Sequence, residues 1–169
     1  MRNIKDLMNL KGRTALITGA TGGIGQAAAI TIAELGGDLL LVDRPRSDYA
    51  LIKQRILEKH NVNIEQMDCD LENEESRQYL IDKVNGYDKD LNIIINNAAF
   101  VGESDLKGWI TDFEDQDIDT WRRALEVNLT AIFHLSKGLA KKLKNSKSSS
   151  IINMSSIYGM VGPDLSLYE

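Results

Sequence analysis

The stretch Arg13-Thr-Ala-Leu-Ile-Thr-Gly-Ala-Thr-Gly-Gly-Ile-Gly25, with Asp38-Leu-Leu-Leu-Val-Asp43 a helix-length later, decides the fold of this chain. Ala15 to Ile17 is a short apolar run without polar alternation, which is typical of a strand buried on both faces. Gly19, Gly23 and Gly25 form G-x-x-x-G-x-G, a respaced relative of the glycine pattern that lets backbone approach the pyrophosphate of a dinucleotide. The stretch therefore predicts a strand, a glycine turn and a helix whose first amides face phosphates.

An acidic residue completes this unit. The apolar spacing predicts a helix over Ile24–Leu35, and Asp43 lies 18 positions after Gly25, close to the roughly 20 expected of the acid that binds the adenosine ribose. A carboxylate accepts hydrogen bonds from both ribose hydroxyls and repels a 2′-phosphate, which favours NAD over NADP. Arg44 and Arg46 follow at once, and a guanidinium could accommodate that phosphate, so NADP stays the alternative.

Composition and charge limit the classes of function. The 169 residues suit a single domain with a hydrophobic core, and the net charge of −5 offers no basic face for nucleic acid or for an anionic membrane. No apolar run approaches the roughly 20 residues that span a bilayer, and the N-terminus is too polar for a signal peptide. Cys69 is the sole cysteine, so we predict a small buried residue and no metal site. We expect a cytoplasmic protein without nucleic-acid or membrane partners.

Strands and helices alternate along the rest of the chain. Further strands are expected at 62–67, 91–95 and 148–153, and further helices at 49–60, 72–86 and from 121 to about 144. The last helix is expected to begin at Asp119 or Thr120, and its apolar positions exceed a single stripe. This order predicts an α/β fold, a doubly wound parallel sheet of the Rossmann type.

Several polar residues fall where strands end, which is the edge of an open α/β sheet at which ligands gather. Asp70 is placed to meet a cofactor, although it could equally cap the next helix. Asn96-Asn-Ala-Ala99 combines two amides with two small residues, which suits a place where backbone passes close to a ligand. The acidic connection Phe100–Ile118 is longer than a compact turn requires and is expected to lie beside the cleft. Asn128 stands among apolar neighbours and needs hydrogen-bond partners.

Four of these features in register resemble the short-chain dehydrogenase/reductase family. They are Thr18-Gly-Ala-Thr-Gly-Gly-Ile-Gly25, similar to T-G-x-x-x-G-x-G; Asn96-Asn-Ala-Ala99, similar to N-N-A-G with alanine last; Asn128; and Ile151-Ile-Asn-Met-Ser-Ser156. The resemblance covers essentially the whole chain. The final segment also resembles a subgroup often encoded with bacterial polysaccharide and nucleotide-sugar genes.

The resemblance implies roles for particular residues. The pyrophosphate would lie on the glycine turn, made by Gly19, Thr21, Gly22, Gly23, Ile24 and Gly25. Asp43 would bind the adenosine ribose, Asp70 with Leu71 the adenine, and Asn97 with Ala98 the second ribose. Ser156 would hydrogen-bond the carbonyl or hydroxyl of a small-molecule substrate, and Asn128 would hold a water in the proton relay.

The chain departs from the family at its catalytic tyrosine and lysine, Y-x-x-x-K. Tyr168 lies 12 positions beyond Ser156, but no Y-x-x-x-K follows Ser156 in this sequence. Either Tyr168 is the catalytic tyrosine without its lysine, or 158–169 belongs to an insertion and both residues lie further on; we favour the second. We therefore expect residues 1–169 to form a single NAD(P)-binding domain, incomplete at its C-terminus and inactive alone.

Two functions follow from these expectations. The first is an NAD(P)-dependent oxidoreductase that transfers hydride between nicotinamide and an alcohol or carbonyl, with this chain as its cofactor-binding part and a homo-oligomer as the full-length form. The second is a non-catalytic dinucleotide-binding or regulatory module that uses the same fold without the chemistry.

Overall fold

The structure is a computed structural model that describes residues 3–102 and 106–160. Its strands are β1 Thr14–Thr18, β2 Asp38–Asp43, β3 Ile64–Asp68, β4 Ile93–Asn96 and β5 Ser150–Asn153. Its α-helices are α1 Ile4–Met8, α2 Gly23–Glu34, α3 Ala50–Leu57, α4 Glu74–Asn85, α5 Ile118–Leu125 and α6 Ala131–Asn145. The strands form one parallel sheet in the order β3-β2-β1-β4-β5. The predicted doubly wound α/β fold is confirmed.

The central strands are apolar throughout because both faces of the sheet are covered. In the register Leu16 pairs with Leu40 and with Ile94, and these three side chains face the core beneath α4 and α6. Their neighbours Ile17 and Leu41 point to the opposite face, where α2 and α3 pack. Successive residues of one strand thus enter two different cores, which is why the sequence lacks polar alternation there.

The structure corrects one alternative that the sequence left open. Asn73, not Asp70, caps α4: its side chain accepts a hydrogen bond from the Ser76 amide at 2.8 Å. Asp70 Oδ1 accepts from the Glu72 amide at 3.0 Å, which shapes the turn before the helix. Because Asn73 is the N-cap, Asp70 does not cap α4, and it lies in the turn just beyond the end of β3.

The long helix predicted from 121 is divided in two and begins earlier. Asp117, rather than Asp119 or Thr120, is its N-cap and accepts hydrogen bonds from both of their amides. A π-helical turn over Glu126–Thr130 separates α5 from α6. Asn128 lies in this turn, and its Oδ1 accepts a hydrogen bond from the Phe100 amide at 2.7 Å. The irregular turn therefore coincides with a tertiary contact to the loop after β4.

The strand order places a crevice between β1 and β4. From β1 the chain runs to β2 and β3 on one side, and it then returns to β4 and β5 on the other. The segments that leave β1 and β4 therefore diverge at the carboxyl edge, which is where open α/β sheets bind ligands. Within the described ranges, no helix combines the length and the apolar character that crossing a bilayer would require.

Candidate functional site

A cavity of about 780 Å³ opens at this switch point. Its volume lies within the usual range for small-molecule and cofactor sites. It brings together most residues that the sequence singled out, namely Gly19, Thr21, Gly22, Gly23, Ile24, Asp43, Asp70, Leu71, Asn97 and Ala98. Gly25, Asn128 and Ser156 do not line it.

The glycine turn is shaped by close backbone contacts. Gly19 has φ +65°, and an added Cβ would lie 2.9 Å from the Cα of Ala98. A Cβ on Gly25 would lie 2.1 Å from the Gly19 carbonyl oxygen, so only glycine lets α2 start this close to β1. A Cβ on Gly23 would meet nothing within 4 Å, so this position faces open space at the cavity wall.

The start of α2 presents amides toward this space. Its first backbone hydrogen bond runs from the Gln26 amide to the Gly22 carbonyl, at 2.9 Å. The amides of Gly23, Ile24 and Gly25 precede that bond, and Gly22 as N-cap has no side chain to satisfy them. A helix start with unsatisfied N–H groups attracts anions, through hydrogen bonds and through the helix dipole.

Asp43 is attached to the glycine turn. Its Oδ2 accepts hydrogen bonds from the amide and the hydroxyl of Thr21, at 2.8 and 2.7 Å. Its Oδ1 accepts from the Arg44 amide at 2.8 Å. These contacts fix the carboxylate at the carboxyl end of β2, half-buried and on the cavity wall. Arg44 lines the same wall, beside the carboxylate.

Asn97 and Ala98 join the end of β4 to the glycine turn. Their two amides donate to the Thr18 hydroxyl, each at 3.1 Å. The Asn97 side chain donates in turn to the carbonyls of Thr18 and Gly19, at 3.0 and 3.1 Å. The amide-rich sequence after β4 thus serves to hold two strand ends together across the crevice. Thr18 is a site residue whose part in this contact the sequence did not predict.

A buried arginine supports the Asp70–Leu71 turn. Arg77 on α4 is only 1% exposed and donates to the Leu71 carbonyl and to Glu126. Its Nε also donates to His134 Nδ1 at 3.3 Å. Cys69, in the same region, is buried as predicted, and burial raises the pKa of its thiol, which suits a packed residue rather than a nucleophile. A charged residue in a helix normally indicates a solvent face, so the role of Arg77 was missed.

Asn128 and Ser156 do not line the cavity but lie on segments next to it in the fold. Asn128 is held against the Phe100 backbone, as described above. Ser156 follows β5, where the Met154 amide donates to the Asn96 carbonyl at 2.9 Å and so continues the pairing past the strand end. Both residues therefore lie on segments anchored next to the end of β4. Tyr168 falls outside the described residues.

A further wall of the cavity comes from residues that the sequence did not single out. Phe100 and Arg123 line the cavity, together with Glu72 from the turn before α4. Arg123 donates to both carboxylate oxygens of Glu72, at 2.8 and 3.1 Å, which raises the pKa of its guanidinium. The guanidinium carbon lies 5.1 Å from the centre of the Phe100 ring. Phe100 lies 28 positions from its partner Asn128, and Arg123 lies 51 positions from its partner Glu72. No local sequence pattern reveals contacts at such separations.

Proteins of known identity share both the sequence pattern and the fold. The sequence profile of the short chain dehydrogenase family matches residues 13–168. The 3-oxoacyl-(acyl-carrier-protein) reductase FabG of Rickettsia typhi is 30% identical over 156 residues, covering 92% of this chain and 58% of the reductase. The curated relatives that this chain matches are longer, and the chain spans somewhat over half of their length.

Solved structures agree with the fold described above. An NADPH-dependent 3-quinuclidinone reductase from Rhodotorula rubra superposes with a TM-score of 0.82 at 28% identity, over 95% of this chain and 58% of that chain. An NAD⁺-bound xylitol dehydrogenase superposes with a TM-score of 0.78 at 28% identity, over 91% of this chain and 56% of that chain. With a profile match over nearly its whole length, this chain belongs to the short-chain dehydrogenase family.

Proposed function

We propose that this chain is the dinucleotide-binding part of an NAD(P)-dependent oxidoreductase acting on an alcohol/carbonyl pair. The observation that carries the proposal is the cavity at the switch point, where the start of α2 and the Asp43 carboxylate share one wall. Proteins similar to this chain include reductases and dehydrogenases, and of the two superposed structures one is an NADPH-dependent reductase and the other an NAD⁺-bound dehydrogenase.

The residues that line the cavity fit a dinucleotide. The open space at Gly23 and the unsatisfied amides of the first turn suit two phosphates. Asp43 offers a carboxylate for the adenosine ribose, Asp70 and Leu71 flank the adenine position, and Asn97 with Ala98 flank the second ribose. The bound nicotinamide would supply the hydride acceptor or donor, and the protein's task is to hold and orient it.

We propose NAD as the preferred form. A carboxylate beside the adenosine ribose would repel a 2′-phosphate, and hydrogen bonds from Thr21 and from the Arg44 amide hold the Asp43 carboxylate in one orientation. Arg44, which also lines the cavity, is the feature that favours NADP. We expect the carboxylate to have the larger effect, because it is already oriented whereas Arg44 is exposed to solvent.

Ser156 and Asn128 are the residues that we propose to act on the substrate side. The Ser156 hydroxyl would hydrogen-bond the carbonyl or hydroxyl oxygen of a small-molecule substrate. Asn128, held by the Phe100 amide, would position a water for proton transfer. Their anchoring beside the end of β4 supports these roles, because the second ribose is proposed to lie there.

The test is a calorimetric titration of the purified protein with NAD and NADP, followed by an assay of hydride transfer with alcohols and ketones. We expect saturable binding of both dinucleotides, tighter for NAD. Turnover would favour the oxidoreductase over the non-catalytic module, and an absence of binding by either dinucleotide would contradict the proposal.

We also propose that the protein self-associates through α5 and α6. Trp121, Leu125, Leu129 and Phe133 are exposed large apolar side chains at helical spacing along this region. Exposed apolar surface of this kind marks association sites. Sedimentation velocity should give a mass above one chain, and Phe133→Glu should shift it toward the monomer while the exposed Leu57→Glu should not.

A further inference from the structure

An ion pair joins two elements that line the cavity. Glu72 belongs to the turn after β3, directly beyond Asp70 and Leu71, while Arg123 lies on α5. The guanidinium meets the carboxylate with two hydrogen bonds, at 2.8 and 3.1 Å. This two-point geometry orients both groups more strictly than a single contact would. Both residues line the cavity, so the pair forms part of its wall.

The arginine also rests on a fixed aromatic ring. Its guanidinium carbon is 5.1 Å from the Phe100 ring centre, within the range of a cation–π contact. Trp109 packs edge-on against the same ring, with centroids 5.4 Å apart and planes at 72°. The Phe100 amide is held by Asn128 Oδ1 at 2.7 Å, so the ring has a fixed backbone beneath it.

We propose that Glu72, Arg123 and Phe100 form a clamp across the adenine end of the cleft and that Arg123 is a positioning residue for dinucleotide affinity. This rests on the proposed function, because it places adenine beside Asp70 and Leu71. The clamp holds the Glu72 turn in the conformation that the ligand requires. Without it, binding must order that turn, which lowers affinity and shortens the residence time of the ligand.

The structure supplies a matched control on the same helix. Arg122 neighbours Arg123 in sequence and pairs with Asp119 at 2.9 Å, but this pair lies outside the cavity lining. Its two side chains are 70% and 78% exposed, against 48% and 32% for Arg123 and Glu72. Arg122→Gln therefore removes the same charge from α5 without touching the clamp.

The test compares Arg123→Gln, Glu72→Gln, the double variant and Arg122→Gln by calorimetry with NAD, ADP-ribose and nicotinamide mononucleotide. We expect each clamp variant to raise the Kd for NAD and ADP-ribose about fivefold, the size of one exposed bidentate pair with a cation–π contact. The double variant should lose little more than either single one, because both changes break the same contact. Nicotinamide mononucleotide, which lacks the adenine, should bind the variants and the unchanged protein alike.

The outcomes separate this clamp from the proposed function. Suppose that the unchanged protein binds NAD. If Arg123→Gln then has the same Kd as Arg122→Gln, or if the effects of Arg123→Gln and Glu72→Gln add fully in the double variant, the clamp is wrong and the proposed function stands. An equal loss for nicotinamide mononucleotide would point to general loosening and would also overturn the clamp. If the unchanged protein binds neither NAD nor NADP, both proposals fall. Should Arg123→Gln fail to fold, Glu72→Gln gives the same comparison from an exposed turn.

Discussion

The Asp43 carboxylate holds the glycine turn in place, and we propose that it also recognises the cofactor. Its Oδ2 binds Thr21 in the glycine turn and its Oδ1 binds the Arg44 amide. A carboxylate offers about four lone-pair sites, so acceptor capacity remains for a ribose hydroxyl. We therefore propose that the same charge that orients the turn also sets the preference between NAD and NADP.

Replacing this carboxylate should change cofactor preference. For Asp43→Ser we expect the NAD affinity to fall about tenfold and the ratio of NADP to NAD affinity to rise, because a charge-assisted hydrogen bond and a repulsion are both lost. Competition titrations with the two dinucleotides measure the ratio. Asp48→Ser removes a carboxylate from the adjacent turn, outside the cavity lining, and should leave the ratio unchanged. An unchanged ratio in Asp43→Ser would contradict the role of this carboxylate.

Among the glycines that the structure describes, Gly25 would bring an added Cβ into the shortest contact. A methyl group there would lie 2.1 Å from the Gly19 oxygen, so Gly25→Ala must push α2 from β1. We expect a loss of about 1–3 kcal/mol in unfolding free energy, the usual cost of overpacking, together with a loss of NAD binding. Gly86→Ala is the control, since its nearest contact would be an ordinary 3.5 Å. Chemical denaturation and calorimetry measure both effects, and equal behaviour of the two variants would refute the steric argument.

At the scale of elements, Asp38 links the starts of β2 and β3 to the loop before β4. It accepts hydrogen bonds from the Asn63 amide at 2.8 Å and from Lys89 at 2.9 Å. Burial alone would raise the pKa of its carboxyl, but the bonds from Lys89 and Asn63 outweigh burial and lower that pKa. The folded state therefore favours the charged carboxylate more strongly than the unfolded state does.

This shift predicts a pH dependence of stability. The contribution of Asp38 should be complete above the unfolded-state pKa of about 4 and should disappear as the pH falls through the lower folded-state pKa. Asp38→Asn should thus reduce the unfolding free energy by about 1–2 kcal/mol at neutral pH and by less in acid. Urea unfolding across pH measures the difference. Asp88→Asn, an exposed carboxylate in the same loop, should show neither effect.

Arg77 joins α4 to the π-helical turn and to α6. It is buried and donates to Leu71, Glu126 and His134. Arg77→Met should reduce the unfolding free energy by about 3 kcal/mol, because the partners lose a buried cation that they surround. Lys83→Met on the same helix removes only an exposed pair with Glu65 and should change stability by less than about 0.5 kcal/mol. Thermal and urea unfolding test this, and a small effect of Arg77→Met would show that the network is dispensable.

The division of the long helix shows where prediction from sequence stops. Apolar spacing from Leu125 to Leu143 indicates helix, and helix is what forms on both sides of the π-helical turn. The turn contains Asn128, whose Oδ1 accepts a hydrogen bond from the Phe100 amide, a contact between segments 28 positions apart. The asparagine was recognisable as a residue in need of partners, but the partner was not.

For the whole molecule, the predictable part of the site is the part carried by short segments at strand ends. The glycine turn, Asp43, Asp70 and Asn97 each lie at or just beyond the carboxyl end of a strand, so a parallel sheet brings them to one edge. Glu72 and Arg123 reach the same cavity only after α5 has docked against the turn before α4. The role of Arg77 was missed because a charged residue in an amphipathic helix is normally expected on the solvent-facing side, whereas Arg77 is buried.

We propose that this switch point binds a dinucleotide with its phosphates on the start of α2. Amide hydrogen exchange, measured by mass spectrometry with and without saturating NAD, reports on each of these segments separately. We expect slower exchange over residues 19–25, 43–44, 70–72 and 97–98, and no change in α3 or in the outer turns of α6. Unchanged exchange over residues 19–25, or protection centred on another surface, would contradict it.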